Sequence, residues 1–409
     1  MKYILIIGDG MADNPVPELG GLTPLQHADT PELDALASAG AVGSVRTCPD
    51  GLPPGSDTAI MSIFGCDPRK YYTGRAPLEA AATGVALRPG DVAYRCNMVT
   101  YEDSGLPFAE RRILSHSAGS IDGETSAALA RALFEDPGFK VRADAAGMMV
   151  YPALSFRHIA VQSGADVKGI SLRPPHDHLG EIIAGILPSG CENAGALREL
   201  MELAFGVLDN HELNVKRRAE GKMPANGVWF WAEGTAARLP NFTEAYGKTG
   251  GVVSAVPLCH GIAALIGLER VSVEGATGEL DTNYEGKAEA ALKLLREHDF
   301  AAIHVEAPDE CTHNGDLDGK LEAIRRIDAR AVAPLMRGLR LAGWEHRILA
   351  LSDHKTLTST RGHDGDPVPF VIFDSRRDCR SGAKYCERDG ERGVYVDSGT
   401  KLMDMLFER

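Results

Sequence analysis

Three short apolar runs, hundreds of residues apart, each lead into an acid. Ile4-Leu5-Ile6-Ile7-Gly8 ends at Asp9, the run from Ala301 through Pro308 ends at Asp309, and Ile348-Leu349-Ala350-Leu351-Ser352 ends at Asp353. Runs of this length followed by turn residues read as buried parallel strands. In open α/β sheets, ligands gather outside the carboxyl ends of such strands. Three acids at three strand ends can therefore meet at one place. Histidines follow two of them: His313 lies four residues after Asp309, His354 directly follows Asp353, and His363 comes nine residues later.

The remaining pattern extends this into an α/β core. Thr30-Pro31-Glu32 starts a helix with Thr as cap and Pro at its first position, and Ala41 to Thr47 reads as a strand. A turn-rich loop, Pro49 to Gly55, delivers Ser56 to a helix running through Ile63. From about residue 90 to 248 the texture changes to amphipathic helices (Thr125–Phe134, Ala194–Phe205), short β-like runs and a Trp229-Phe230-Trp231 cluster. The βα rhythm resumes at Val252–Val256, with helices over 285–297 and 319–341 and a last strand at Val368–Phe373. The expectation is a mainly parallel sheet between helices, formed by residues 1–89 and 249–409 and interrupted by an inserted α+β domain at 90–248. A chain of 409 residues is long enough for two such bodies.

Composition narrows the function. A net charge of −14 argues against nucleic acid or an anionic membrane surface as partner. A small anionic substrate stays open, because a bound metal inverts the local field. Eight cysteines without a CxxC pair read as reduced thiols of a cytoplasmic protein. The stretch after Lys2 is too short for a signal peptide, and no run approaches the ~18–20 apolar residues that span a bilayer.

Asp309 and His313, spaced by four, share one face of a helical turn. With His363 they form a two-nitrogen, one-carboxylate set suited to Mn²⁺ or Zn²⁺. Asp9, Asp353 and His354 form a second set, richer in oxygen. Three carboxylates and one serine alkoxide would balance two divalent cations, whereas unpaired buried anions cost several kcal/mol each, on the order of a domain's whole stability. Ser56 is the alkoxide candidate, since a helix start offers N–H groups and the positive dipole end. The bland reading of each residue alone is different: Asp9 as a turn residue, Ser56 or Asp57 as a helix cap, and His363 as a loop histidine. The other histidines, His304 among them, show no spacing logic and read as structural or solvent-facing.

At these residues the chain resembles the cofactor-independent phosphoglycerate mutases of the archaeal type, within the alkaline phosphatase superfamily. The matching segments are Ile7–Asp13, Pro54–Ala59, Tyr71–Arg75, Gly275–Gly278 running into Asp281–Ala288, Val305–Glu310 and Asp366–Phe370. The resemblance implies an alkaline-phosphatase-like core with an insert that covers the site, two metals (Mn²⁺, with Mg²⁺ or Zn²⁺ as alternatives) and a phosphoserine intermediate. It makes Ser56 the nucleophile, with Asp9, Ser56, Asp353 and His354 on one metal and Asp309, His313 and His363 on the other. The implied substrate is a small phosphorylated hydroxy acid: phosphate moves between the 2- and 3-hydroxyls of glycerate, with no need for 2,3-bisphosphoglycerate.

Phe156-Arg157-His158 is similar to a family segment that supplies a substrate-binding arginine, here Arg157. The family pattern has a histidine after Ser-Ala-Gly, whereas Ser117-Ala118-Gly119 is followed by Ser120, so His116 is the substitute in the substrate site. Pro174-Pro175-His176-Asp177 matches a further segment, read as a turn. Cys66-Asp67-Pro68-Arg69-Lys70-Tyr71-Tyr72 is similar to a subgroup proposed to act as homoserine kinase. The metal core serves either substrate, so these motifs do not separate isomerase from kinase, and a metal-binding protein without turnover is a third possibility. Oligomeric state is not legible in the sequence.

Overall fold

The computed structural model describes every residue except 154 and 378. The chain forms two compact units, residues 1–72 with 238–409, and residues 73–237 between them. The sequence pattern put the edges of the insert at 90 and 248. Helix Arg75–Ala82 instead packs on strands Asp91–Tyr101, Arg157–Ser163 and Gly227–Thr235. Its Glu79 carboxylate is bound by Arg95 of the first of these strands.

The discontinuous unit is built on an eight-stranded sheet. Its order is Val394–Val396, Ala41–Val45, Val368–Asp374, His346–Leu351, Lys2–Gly8, Phe300–Val305, Gly250–Val253 and Glu269–Val271. The last five are mutually parallel, and Val368–Asp374 runs antiparallel to both of its neighbours. Strands Phe300–Val305 and His346–Leu351 are buried at every position. That is why they read as mostly apolar runs rather than as alternating ones. Because Lys2–Gly8 lies between these two, in parallel, the carboxyl ends of all three face the same way.

Local chemistry sets most helix boundaries. Asp316 accepts from Gly319 N to start Leu317–Arg326, and Asn283 accepts from Gly286 N to start Tyr284–Glu297. The expected helix over 319–341 is one continuous run with a π turn at Ile327–Val332, followed by Ala333–Ala342. Pro334 explains the wide turn, since it lacks an N–H and its ring crowds the carbonyl four residues back.

Two expectations change. Thr30 makes no side-chain cap to helix Pro31–Ala39. Asp328 caps it instead, accepting from Glu32 N at 3.2 Å and Leu33 N at 2.7 Å from 295 or more residues away. Val368–Asp374 is not the last strand, because Val394–Val396 adds an edge beside Ala41–Val45. Between these two strands Tyr385, Cys386 and Glu387 are buried, and Glu387 accepts from Asp13 N at 3.0 Å.

The inserted unit is a five-stranded antiparallel sheet with Asp91–Tyr101 at its centre, flanked by Arg157–Ser163 and Gly227–Thr235. Helices Gly123–Glu135 and Asn193–Leu208 supply Leu129, Leu133, Leu197, Leu200 and Met201 to a core that also holds Trp229 and Phe230. Trp229 buries its ring and donates its indole N–H to Arg173 O at 2.8 Å.

Candidate active site

Asp9 leaves the end of strand Lys2–Gly8 and turns through Gly10, whose φ of +62° is glycine territory. A Cβ at Gly10 would come within 2.8 Å of Asp309 Oδ1, so the tight turn also makes room for a second acid. Asp309 lies in the first turn of helix Ala307–His313, and His313 ends that helix. Asp353 and His354 follow strand His346–Leu351 after the single residue Ser352. His363 sits in the short antiparallel pair Lys355–Leu357 and Gly362–Asp364, opposite Thr356. Ser56 is the first residue of helix Ser56–Ile63 and makes no capping bond there, which leaves its hydroxyl free for other partners.

These seven side chains converge. Ser56 Oγ lies 3.3 Å from Asp9 Oδ2 and 3.1 Å from His354 Nε2. His354 Nε2 is 3.5 Å from Asp9 Oδ1 and 3.4 Å from Asp353 Oδ2. On the other side, His313 Nε2 is 3.0 Å from Asp309 Oδ2, and His363 Nε2 is 3.5 Å from Asp309 Oδ1. The His354 and His363 rings, 4.2 Å apart between centroids, join the two groups. Donor atoms of Asp309, His313 and His363 fall within 4.8 Å of one another, and so do those of Asp9, Asp309 and His354. Asp309 therefore stands at the seam of both sets.

The carboxylates are aimed by their partners. Asp353 Oδ1 accepts from the backbone N–H of Gly10 at 3.1 Å and of His354 at 2.9 Å. Asp9 Oδ2 takes His304 Nε2 at 3.0 Å. The two oxygens left over, Asp9 Oδ1 and Asp353 Oδ2, are buried with no hydrogen-bond partner. Buried polar atoms are almost always satisfied, and two orphaned acceptors facing one imidazole nitrogen and one serine oxygen fit a cation. Electrostatics agrees. Burial, then Asp353 and Asp309, push the Asp9 carboxyl well above its usual range, so it needs a proton or a positive ion beside it. Burial would raise Asp309 too, but hydrogen bonds from His313 and His363 outweigh it and hold Asp309 well below the usual range. His313 is pushed up to about 9, chiefly by its bond to Asp309.

His304, read from sequence as structural or solvent-facing, is fully buried against the site. Ser254 Oγ accepts from Val256 N at 3.0 Å and has its own proton for His304 Nδ1 at 3.2 Å. Nε2–H of His304 is then the donor to Asp9. Its pKa, pushed down to about 3 by burial, fits this neutral donor. One signal was available: a histidine inside Ala301-Ala302-Ile303-His304-Val305, a strand buried at every position, has to find a polar partner.

His116 and Arg157 belong to the inserted unit and share one cluster there. The Arg157 guanidinium lies 5.1 Å from the Phe156 ring centre and 6.0 Å from that of Trp231. The His116 ring packs on Phe156 and on His176, whose ring in turn packs on Trp231. Arg95 stacks on Trp231 and is held by Glu79. Burial, with Arg95 nearby, pushes Arg157 down to about 10, and its Nε is buried without a partner. Burial, then His176 and Arg157, lower His116. Ser120 ends the left-handed stretch Ala118-Gly119-Ser120 and donates its N–H to Ser117 Oγ, 3.1 Å away. The Pro174–Asp177 motif forms the turn that carries His176 into this cluster.

Acids and imidazoles gathered at the carboxyl ends of parallel strands, beside a serine on a helix start, make an α/β fold with a candidate metal-dependent active site. A family model described as 2,3-bisphosphoglycerate-independent phosphoglycerate mutase matches residues 37–214. The mutase of that name from Methanothrix thermoacetophila is 44% identical over 408 residues, covering 100% of both chains. A solved protein of Pyrococcus horikoshii superimposes with a TM-score of 0.80 at 30% identity, over 100% of this chain and 96% of that one. The cofactor-independent phosphoglycerate mutase of Thermoplasma acidophilum gives 0.66 at 28% identity, over 100% and 99%. The chain belongs to the 2,3-bisphosphoglycerate-independent phosphoglycerate mutase family.

Proposed function

We propose that this protein interconverts 2- and 3-phosphoglycerate in the cytoplasm, without 2,3-bisphosphoglycerate, by passing the phosphoryl group through Ser56. One observation carries the reading. The Ser56 hydroxyl, at the positive end of its helix, lies within 3.3 Å of both Asp9 and His354, beside two buried carboxylate oxygens that lack partners. Asp9, Ser56, Asp353 and His354 would hold one divalent cation and Asp309, His313 and His363 a second, with Mn²⁺ suited to the mixed oxygen and nitrogen donors. Bound there, the cations supply positive charge for the attacking and leaving oxygens of each in-line displacement.

Ser56 Oγ attacks phosphorus, and the Oγ–P bond forms as the bond between phosphorus and one glycerate oxygen breaks. The Ser56 proton passes to Asp9 Oδ2, which gives it to the freed glycerate oxygen as that becomes a hydroxyl. The other hydroxyl of glycerate then attacks the phosphoserine, its proton going to Asp9 Oδ2, and Ser56 Oγ leaves and takes that proton back. His304 holds Asp9 throughout by donating from Nε2. Little chemistry beyond positioning and charge is needed for such a transfer. Arg157, with His116 beside it, is the group proposed to take an anionic end of the substrate. Its guanidinium fork suits carboxylate or phosphate, and Nε is uncommitted.

A coupled enolase assay with added Mn²⁺ tests the reading. Interconversion that stops in chelator and in Ser56→Ala supports it. Nucleotide-dependent phosphorylation of homoserine with no mutase signal would replace it with the kinase, and metal uptake with neither activity would leave only a binding protein.

A further inference from the structure

Thr356 lies two residues beyond His354 and is fully buried. Its backbone is fixed from both sides. The N–H donates to Ala12 O at 3.1 Å, and the carbonyl accepts from Lys320 Nζ at 2.7 Å. Lys320 is anchored in turn by Asp13 at 2.8 Å. The hydroxyl points at the active site, 2.6 Å from Asp309 Oδ1 and 3.2 Å from His354 Nδ1. Space around it is tight, for a Cβ on Gly10 would stand 2.5 Å from Thr356 Oγ1.

A hydroxyl has one proton to give and lone pairs to receive. A carboxylate oxygen only accepts, so the Thr356 proton goes to Asp309. His354 Nδ1 must then donate to Thr356 Oγ1. That bond selects the Nδ1–H tautomer and leaves a lone pair on Nε2, the nitrogen that faces Ser56 Oγ, Asp9 Oδ1 and Asp353 Oδ2.

We propose that Thr356 is a positioning residue that ties the two donor sets together through one hydroxyl, orienting Asp309 and choosing the tautomer of His354. The inference rests on the two-cation reading above and gives this threonine a part in it. Outer-shell partners of metal ligands are typically worth about 10–100-fold in metal affinity. Thr356→Val keeps the shape and removes the hydroxyl, whereas Thr356→Ser keeps the hydroxyl.

Mn²⁺ titration calorimetry on the chelator-treated full chain tests this. Thr356→Val should bind Mn²⁺ about 10–100-fold more weakly than the natural protein, and Thr356→Ser should stay within about threefold of it. Natural affinity in Thr356→Val, or equal weakening in Thr356→Ser, overturns the inference and leaves the two-cation reading standing. A natural protein that takes up no Mn²⁺ overturns both. A second measurement does not depend on how the valine variant folds. Long-range ¹H–¹⁵N correlation spectra of the natural chain, with the His354 signals identified by their loss in His354→Gln, should show the Nδ1–H form. The Nε2–H form overturns the inference.

Discussion

His313 Nε2 lies 3.0 Å from His363 Nε2, although 50 residues of chain separate them. Two imidazole nitrogens this close, with Asp309 oxygens 3.0 and 3.5 Å away, present three donors to one point. Asp309→Asn and His363→Ala are therefore expected to lower mutase turnover by more than about 100-fold, beyond what loss of an outer-shell partner costs. Circular dichroism should show both variants folded. Full activity in either would remove that residue from the site.

Ser56→Ala should abolish interconversion and leave no phosphorylated protein. Intact-mass spectrometry after rapid quenching with 3-phosphoglycerate reads this directly. A phosphorylated species in the alanine variant would show that another residue is the acceptor.

Acid should destabilise the inserted unit through His158. The ring is fully buried, accepts Ala153 N–H at Nδ1 and meets Ser126 Oγ at Nε2. Burial pushes its pKa down from 6.5 to about 4. The unfolded chain therefore binds this proton more readily between those values, and stability falls as pH drops from about 6.5 to about 4. The loss approaches about 3 kcal/mol at the lower end. Urea midpoints across this range should slope in the natural protein, and His158→Gln should flatten the slope. Parallel slopes would rule His158 out as the source.

The Lys320–Asp13 pair is buried on both sides, and Asp13 Oδ2 also accepts from Thr358 N and Oγ1. Breaking a buried pair strands a charge. Lys320→Met alone is expected to lose about 3–5 kcal/mol in denaturant unfolding, and adding Asp13→Leu should return part of it. A double variant less stable than the single one would contradict this account.

Much of the site was legible because its chemistry is local. Apolar runs ending in acids gave the three carboxylates, and the four-residue spacing of Asp309 and His313 gave their shared helix face. The turn-rich loop before Ser56 marked the serine as a helix start. The burial of His304 in an apolar run hinted at a polar partner, but its identity was not legible, since it depends on Asp9 standing at the end of the neighbouring strand. The cap on helix Pro31–Ala39 was misread for a related reason. Thr30 has the right chemistry beside the helix, yet Asp328 reaches the same N–H groups with both carboxylate oxygens. Strand Val394–Val396 is only three residues long, too short to stand out from its polar surroundings.

By itself, the order of residues determined where the main strands end and which acids stand at those ends, because these follow from periodicity and turn chemistry over a few neighbouring positions. Only the tertiary structure decided which carboxylate oxygens are held and which stay free, and which nitrogen of His354 faces the serine. Those choices are made by hydrogen bonds with Gly10, His304 and Thr356, and long-range pairing of that kind leaves no local trace.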